Sequence, residues 1–272
     1  MDKVNAMQNR MRWRCLCAYD GTNYAGWQKQ RSGDSVQNRI EDALSEIFQS
    51  PIRTVGAGRT DAGVHATAQC FDFLTSDYRE TEQWLNGLNS LLPNDIVVTS
   101  IQEAPDNFHS RFAALNRTYS YVIYTGKRRP IFLRDYVYWE KNKIDLKAMK
   151  EQALYLLGTH NFHSFRGSKC TAKNSVRTIE SIDIIQKDNF VIIKLCANAY
   201  LYNMVRIIVG TLLDISRGSG KDMISVINAL DRKMAGKTAQ AQGLFFTGAN
   251  YKNVDLKIGI NSNPLSFILG PQ

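Results

Sequence analysis

Gly56-Ala57-Gly58-Arg59-Thr60-Asp61-Ala62-Gly63-Val64-His65-Ala66 follows the β-prone run Arg53-Thr54-Val55 and precedes an alternating run, Gln69 to Leu74. Three glycines, with alanines among them, leave the backbone bare around one carboxylate. Glycine lets a chain bend tightly and lets a ligand approach the main chain closely. Asp61 therefore reads as an exposed acid on a sharp connection between strands, with Arg59 two residues away. Three readings are open. The stretch can be a turn whose Asp bonds its own backbone. It can be a phosphate cradle, although no Gly-Lys-Ser/Thr comes after it and a dinucleotide fingerprint would want Gly where Asp61 stands. It can be a catalytic loop, which the density of small residues beside a charged pair favours.

Outward from this loop, apolar alternation predicts a strand over 12–19, then turn-rich residues 20–34. Ser35 caps a helix over 36–48, with Val36, Ile40, Leu44 and Ile47 on one face, and Pro51 ends it. Strands near 53–56 and 66–74 flank the Asp61 loop. A helix over 82–92 stops at Pro93, and 96–103 is another strand. The plan then recurs loosely: strand 117–124, helix 146–157 ending at Gly158, and a hairpin of strands 178–186 and 190–197. A mostly apolar helix over 201–216, a helix over 222–234 and a short strand at 243–246 complete it. The class is α+β, built as two related halves: 12–105, carrying the Asp61 loop, and 106–255, with the break near Pro105-Asp106. Residues 1–11 and 256–272 read as tails.

At 272 residues, 44% of them apolar, the chain can hold one large domain or two ordinary ones. It has no run of about 18 apolar residues, so no spanning helix is expected. The opening residues lack an apolar signal core, so a secreted product is not expected. The five cysteines are Cys15, Cys17, Cys70, Cys170 and Cys196, with no Cys-x-x-Cys. A reducing cytoplasm fits that pattern; a disulfide scaffold or a zinc site does not. Cys15 and Cys17 read as small core residues on one strand face.

Charge separates the halves. Residues 1–105 carry 10 Lys/Arg against 13 Asp/Glu, a net of −3, whereas residues 106–272 carry 24 against 12, a net of +12. Residues 107–134 and 152–179 contain basic residues and no acid. Such asymmetry points to a polyanion bound mainly by the second half, beside the plainer reading of a solvated basic surface.

The Asp61 stretch resembles the signature of the TruA-type tRNA pseudouridine synthases. So do Tyr19-Asp20-Gly21-Thr22-Asn23-Tyr24-Ala25-Gly26-Trp27-Gln28, Phe108-His109-Ser110-Arg111-Phe112-Ala113-Ala114 and Arg117-Thr118-Tyr119-Ser120-Tyr121. His163-Ser164-Phe165, Val176-Arg177-Thr178-Ile179, Tyr202-Asn203-Met204-Val205-Arg206 and Ala241-Gln242-Gly243-Leu244 complete the set, in family order. The resemblance implies two α/β-sandwich halves sharing a central, mostly antiparallel sheet. It implies isomerisation of uridine to pseudouridine on the 3′ side of the tRNA anticodon stem-loop (positions 38–40), by a homodimer in the cytoplasm. No cofactor, metal or membrane is implied.

By that resemblance Asp61 is the catalytic carboxylate and Arg206 its counter-charge. A lone Arg on an apolar helix must find a partner or reach water, which is the alternative for Arg206. Tyr119 becomes the tyrosine that stacks on the flipped base; alone, it reads as sheet packing. Arg59 fills the gap left by the extruded base, or is only an exposed turn residue. Leu244 contributes to substrate binding. Lys127, Arg128, Arg129 and Arg134, with Arg166, Lys169, Lys173 and Arg177, are candidate phosphate contacts, and otherwise solubilising charges. His160 and His163 lack a third ligand at plausible spacing, so no metal is expected. His65 and His109 read as loop supports. The chain departs from the family at Lys237 and Gln240, where prolines are usual, and at Glu140, where His is common. Two other classes fit less of the sequence: a non-catalytic RNA-binding protein and a metal-dependent nuclease.

Overall fold

The computed structural model describes residues 10–30, 34–76 and 78–252. The chain divides into two compact units. Among the described residues, one unit holds those up to Leu115 together with 246–252, and the other runs from Asn116 to Phe245. The division lies beyond Pro105-Asp106, and the final strand carries the chain back to the first unit. Of the expected tails, 1–11 lies outside the described residues except for Arg10 and Met11, and 256–272 lies outside them altogether.

In the first unit, β1 (Met11–Tyr19) is antiparallel to both β3 (His65–Thr75) and β4 (Ile96–Ala104), in the order β4-β1-β3. The short β2 (Thr54–Gly56) is added on β3. Helices α1 (Val36–Phe48) and α2 (Thr81–Leu91) belong to the same unit. Trp13 pairs with Phe73 and Cys15 with Phe71, so these side chains share a sheet face. Trp84 of α2 meets that face, 5.6 Å from Trp13 and 5.5 Å from Phe73 between ring centroids. Each such buried aromatic contributes about 1.5–3 kcal/mol.

β3 is buried along nearly its whole length, so its polar members need internal partners. Asp72 pairs with Arg12 and accepts from the Ser110 N–H at 2.8 Å. Gln69 donates to the Gly58 carbonyl at 2.8 Å. Ser35 caps α1 at the predicted place, its hydroxyl accepting from the Asn38 N–H at 3.3 Å. Cys15 and Cys17 are both buried.

The second unit has β5 (Ala114–Tyr124) from Asn116 on, β7 (Gly158–Asn161), β8 (Val176–Lys187) and β9 (Phe190–Ala197), in the order β5-β9-β8-β7 and antiparallel. The two-residue β6 (Tyr138–Trp139) runs parallel to β5. Helix α3 (Leu146–Ala153) packs on α4 (Met204–Ser216) and α5 (Met223–Ala229). β10 (Leu244–Tyr251) closes the described chain. The fold is therefore α+β with a mostly antiparallel sheet, as expected.

Several boundaries differ from the pattern-based ones, for local reasons. α4 starts at Met204 rather than at 201 because Asn203 is left-handed, at φ 61°. α5 ends at Ala229 rather than 234 because Leu230 turns left-handed, at φ 49°. The helix expected over 146–157 tightens to a 3₁₀ turn at Leu154–Leu156 before Gly158, at φ 92°. β10 is longer than 243–246; Thr247-Gly248-Ala249-Asn250 has the composition of a loop yet continues the strand. β6 and β7 are too short to leave a periodic signal.

Candidate active site

Asp61 opens a four-residue turn between β2 and β3. The Val64 N–H donates to the Asp61 carbonyl at 3.1 Å, and Gly63 takes the third position at φ 76°. That position needs a residue tolerant of positive φ. The carboxylate-bearing residue is half-buried, and Arg59 beside it is exposed, with its Nε donating to Gln28 Oε1 at 3.1 Å.

The turn is held from behind by residues 19–28. Trp27 N–H donates to the Thr60 carbonyl at 3.2 Å, and Gly63 N–H to the Tyr24 carbonyl at 3.3 Å. The hydroxyls of Tyr19 and Thr60 share a hydrogen bond of 2.8 Å. Gly26 sits at φ 99°, and a Cβ there would lie 2.3 Å from the Thr60 carbonyl oxygen. A Cβ on Gly21 would lie 2.0 Å from the Val64 oxygen, and one on Gly56 2.5 Å from the Trp27 indole nitrogen. Main chain thus presses on main chain on both sides of Asp61. His65 joins this support: its Nδ1 accepts from the Gly21 N–H at 3.0 Å. The same Nδ1 lies 3.1 Å from Asp20 Oδ1. His109 supports its own loop likewise, Nδ1 accepting from Arg111 N–H at 3.2 Å.

In the second unit, Arg206 lies on the buried helix α4. Its Nε donates to the Ala239 carbonyl at 2.7 Å and its Nη1 to Asn203 Oδ1 at 3.2 Å, while Ala239 N–H donates to the Arg206 carbonyl at 3.0 Å. The strap 236–240 comes this close to the helix because a glycine stands at the contact on each side. A Cβ on Gly210 would lie 1.7 Å from the Lys237 oxygen, and one on Gly236 2.6 Å from the Gly210 carbonyl carbon. Tyr121 finishes the arrangement by donating its hydroxyl to the Gln240 carbonyl at 2.8 Å. Burial pushes the Tyr121 phenol well up, and the nearby Arg206 opposes that shift. Leu244, buried, follows Gly243, which packs under the Tyr121 ring.

Tyr119 is also buried, two residues before Tyr121 on β5, and meets Tyr200 edge-on at 5.1 Å. Tyr200 is fixed by its hydroxyl, which donates to the Leu195 carbonyl at 2.9 Å. Asp61 and Arg59 therefore stand together in the first unit, and Arg206, the strap and Tyr121 in the second. The sequence reading did not single out Gly26, Thr60, Tyr121 or the Gly210–Gly236 contact. The glycines of residues 21–26 were the available signal.

Lys127, Arg128 and Arg129 are exposed on the loop after β5, and the Arg129 guanidinium lies 5.8 Å from the Trp139 ring centroid. Lys169 and Lys173 are exposed as well. Arg166 differs: half-buried, its Nη2 donates to the carbonyls of Cys170 at 2.8 Å and Ala172 at 2.9 Å, closing its own loop. Arg177 donates to Asn174 Oδ1 at 3.0 Å, and burial lowers its pKa. His160 lies on β7 with Nε2 2.7 Å from the Leu157 carbonyl oxygen. Among the described residues no three His, Cys, Asp or Glu side chains are grouped to hold a metal, and no helix is long and apolar enough to cross a membrane. Glu140 is buried and paired with Arg217.

The sequence matches the tRNA pseudouridine synthase family over residues 16–113 and 153–252. Asp61, Arg206 and Leu244 fall inside the matched stretches, whereas Tyr119 and Lys127 to Arg129 fall between them. The tRNA pseudouridine synthase A of Francisella tularensis subsp. holarctica (strain OSU18) is 40% identical over 88% of this chain and 93% of its own length. That of Nitrosomonas eutropha is 42% identical over 87% of this chain and 86% of its own. Among solved structures, a Cbf5-Nop10-Gar1 complex is similar at a TM-score of 0.36 and 10% identity, over 86% of this chain and 49% of that one. With matches of this extent to both the family and its full-length relatives, the chain belongs to the tRNA pseudouridine synthase family.

Proposed function

We propose that this chain isomerises uridine to pseudouridine in tRNA, in the anticodon stem-loop at positions 38–40, with Asp61 as the reacting carboxylate. The observation that carries the reading is the clamped turn at Asp61, inside a family-matched stretch. The N1–C1′ bond breaks, the base turns, and C5 bonds to C1′. C5 loses a proton and N1 gains one, so the reaction balances without a redox step. A carboxylate in a partly dry site must stay ionised, which burial opposes and a cation offsets. Arg206 takes that role, as the resemblance implies. Tyr119 stacks on the flipped base, and its phenol stands as a candidate to move the C5 proton. Arg59 fills the vacated stack; flipping costs a few kcal/mol, which a stacked guanidinium partly offsets. Leu244 lines the base.

The tRNA is held by the basic half, with Lys127, Arg128, Arg129, Lys169 and Lys173 on phosphates and Arg166 shaping its loop. The chain acts as a homodimer in the cytoplasm; its five free cysteines suit a reducing compartment. The test is tritium release from C5-labelled uridine in tRNA, with modified positions mapped. Wild type releases tritium, and Asp61→Ala binds tRNA with unchanged affinity yet releases none, a loss of roughly 10⁴-fold or more. Wild type that binds tRNA but releases no tritium would leave a non-catalytic RNA-binding protein instead.

A further inference from the structure

Phe132 is 94% exposed, more than any other large apolar side chain among those described, and its neighbour Ile131 is 63% exposed. Both sit on a 3₁₀ turn, Ile131–Leu133, in the connection between β5 and β6. This tip is held firmly. Leu133 N–H donates to the Pro130 carbonyl at 3.2 Å, and Tyr136 and Val137 N–H donate to the Leu133 carbonyl at 2.9 and 3.1 Å. The base of the loop is tied where Trp139 Nε1 donates to the Gly126 carbonyl at 3.0 Å. An aromatic ring is thus presented to solvent on a pinned turn, where nothing in its own unit covers it.

Its surroundings say what fits. Lys127, Arg128 and Arg129 flank the tip on one side, in a stretch, residues 107–134, that contains no acid; on the other side Arg134 pairs with Asp135 at 3.3 Å. A second copy of the same surface would set like charges against each other. A polyanion that also offers aromatic faces matches both features at once, and unpaired nucleotides do so: cations track the phosphates while bases stack on an aromatic ring. We infer that Phe132 is a stacking platform for an unpaired nucleobase of the bound RNA, with the flanking cations on the adjoining phosphates. The inference rests on the tRNA reading above, and adds to it a base contact remote in sequence from the Asp61 turn.

The test uses the full chain, an unmodified tRNA transcript and a blunt RNA duplex, with affinities from fluorescence anisotropy. Phe132→Ala weakens tRNA binding by roughly five-fold or more and leaves duplex binding unchanged. Phe132→Leu does not restore affinity, and the emission of Phe132→Trp is quenched by tRNA but not by duplex. Equal tRNA affinity in wild type and Phe132→Ala would overturn the inference. So would an equal loss on the duplex, or a change confined to self-association or to binding of anionic vesicles. Wild-type tritium release with unaltered Phe132→Ala binding would sink this inference alone. No wild-type release, with weakened Phe132→Ala binding, would sink the enzymatic reading and leave the RNA surface standing.

Discussion

Gly26 and Thr60 meet main chain to main chain, and a Cβ on Gly26 would stand 2.3 Å from the Thr60 carbonyl oxygen, one residue before Asp61. Gly26→Ala combines this clash with a φ of 99° that L side chains rarely adopt. The expected cost is about 1–3 kcal/mol. We expect a fall in melting temperature of several degrees, and a turnover loss of roughly ten-fold or more by tritium release. A variant with lowered stability and undiminished turnover would show that the clamp does not position Asp61.

Arg206→Ala loses the 2.7 Å bond to the Ala239 carbonyl, worth about 1 kcal/mol, but leaves the apolar residues of α4 in place. It should fold, with a circular dichroism spectrum like that of wild type, and turn over very little substrate. Arg206→Lys keeps the charge and loses the guanidinium fork, so it should fall between the two. Full turnover by the Ala variant would remove Arg206 from the mechanism.

Arg217→Ala strands Glu140, which is 2% exposed and also accepts from the Asn142 N–H at 2.8 Å. Breaking a fully buried pair costs about 3–5 kcal/mol; the Arg217 side chain is 30% exposed, so roughly 2–3 kcal/mol is expected here. Denaturant unfolding measures it directly, and a shift under about 0.5 kcal/mol would mean solvent already screens the pair.

Alkali should loosen the first unit. Burial pushes the Cys70 thiol up from the ordinary 9.0 to about 11, and holds Cys15 and Cys17 above their usual value as well. A folded-state pKa above the unfolded one gives stability that is complete below pH 9 and is lost as pH rises through about 11. Urea midpoints between pH 8 and pH 11 should fall across that window, and more gently in Cys70→Ala. A flat profile would mean that the thiols reach water in the native state.

Much of the fold was legible because the period of burial was legible. α1 repeats its apolar face from Val36 to Leu44 and is opened by Ser35, and both of its ends fell where the pattern placed them. The α4 start did not, because the Asn203 side chain tolerates the left-handed region without requiring it, so the sequence left its turn at φ 61° undecided. β6, two residues long, carries no period at all.

The charged residues of the candidate site were visible in the sequence, and their supports were not. Asp61 stood out because small residues isolate it. Thr60, Gly26 and Tyr19 did not, because what they contribute is closeness between segments far apart in sequence, and local composition does not encode that. Arg206 was visible as a charge in an apolar helix, whereas one of its partners is a backbone carbonyl, which looks the same in every residue.

Where Gly210 and Gly236 touch, peptide group lies on peptide group, and the Gly236 N–H donates to the Thr211 hydroxyl at 2.8 Å. Methylating either α-carbon would drive the two apart, so the path of the strap is effectively frozen. Variation along the strap is left to what projects from Lys237, Thr238 and Gln240. For an engineer, those three are the dials, and the two glycines beneath them are the bolts.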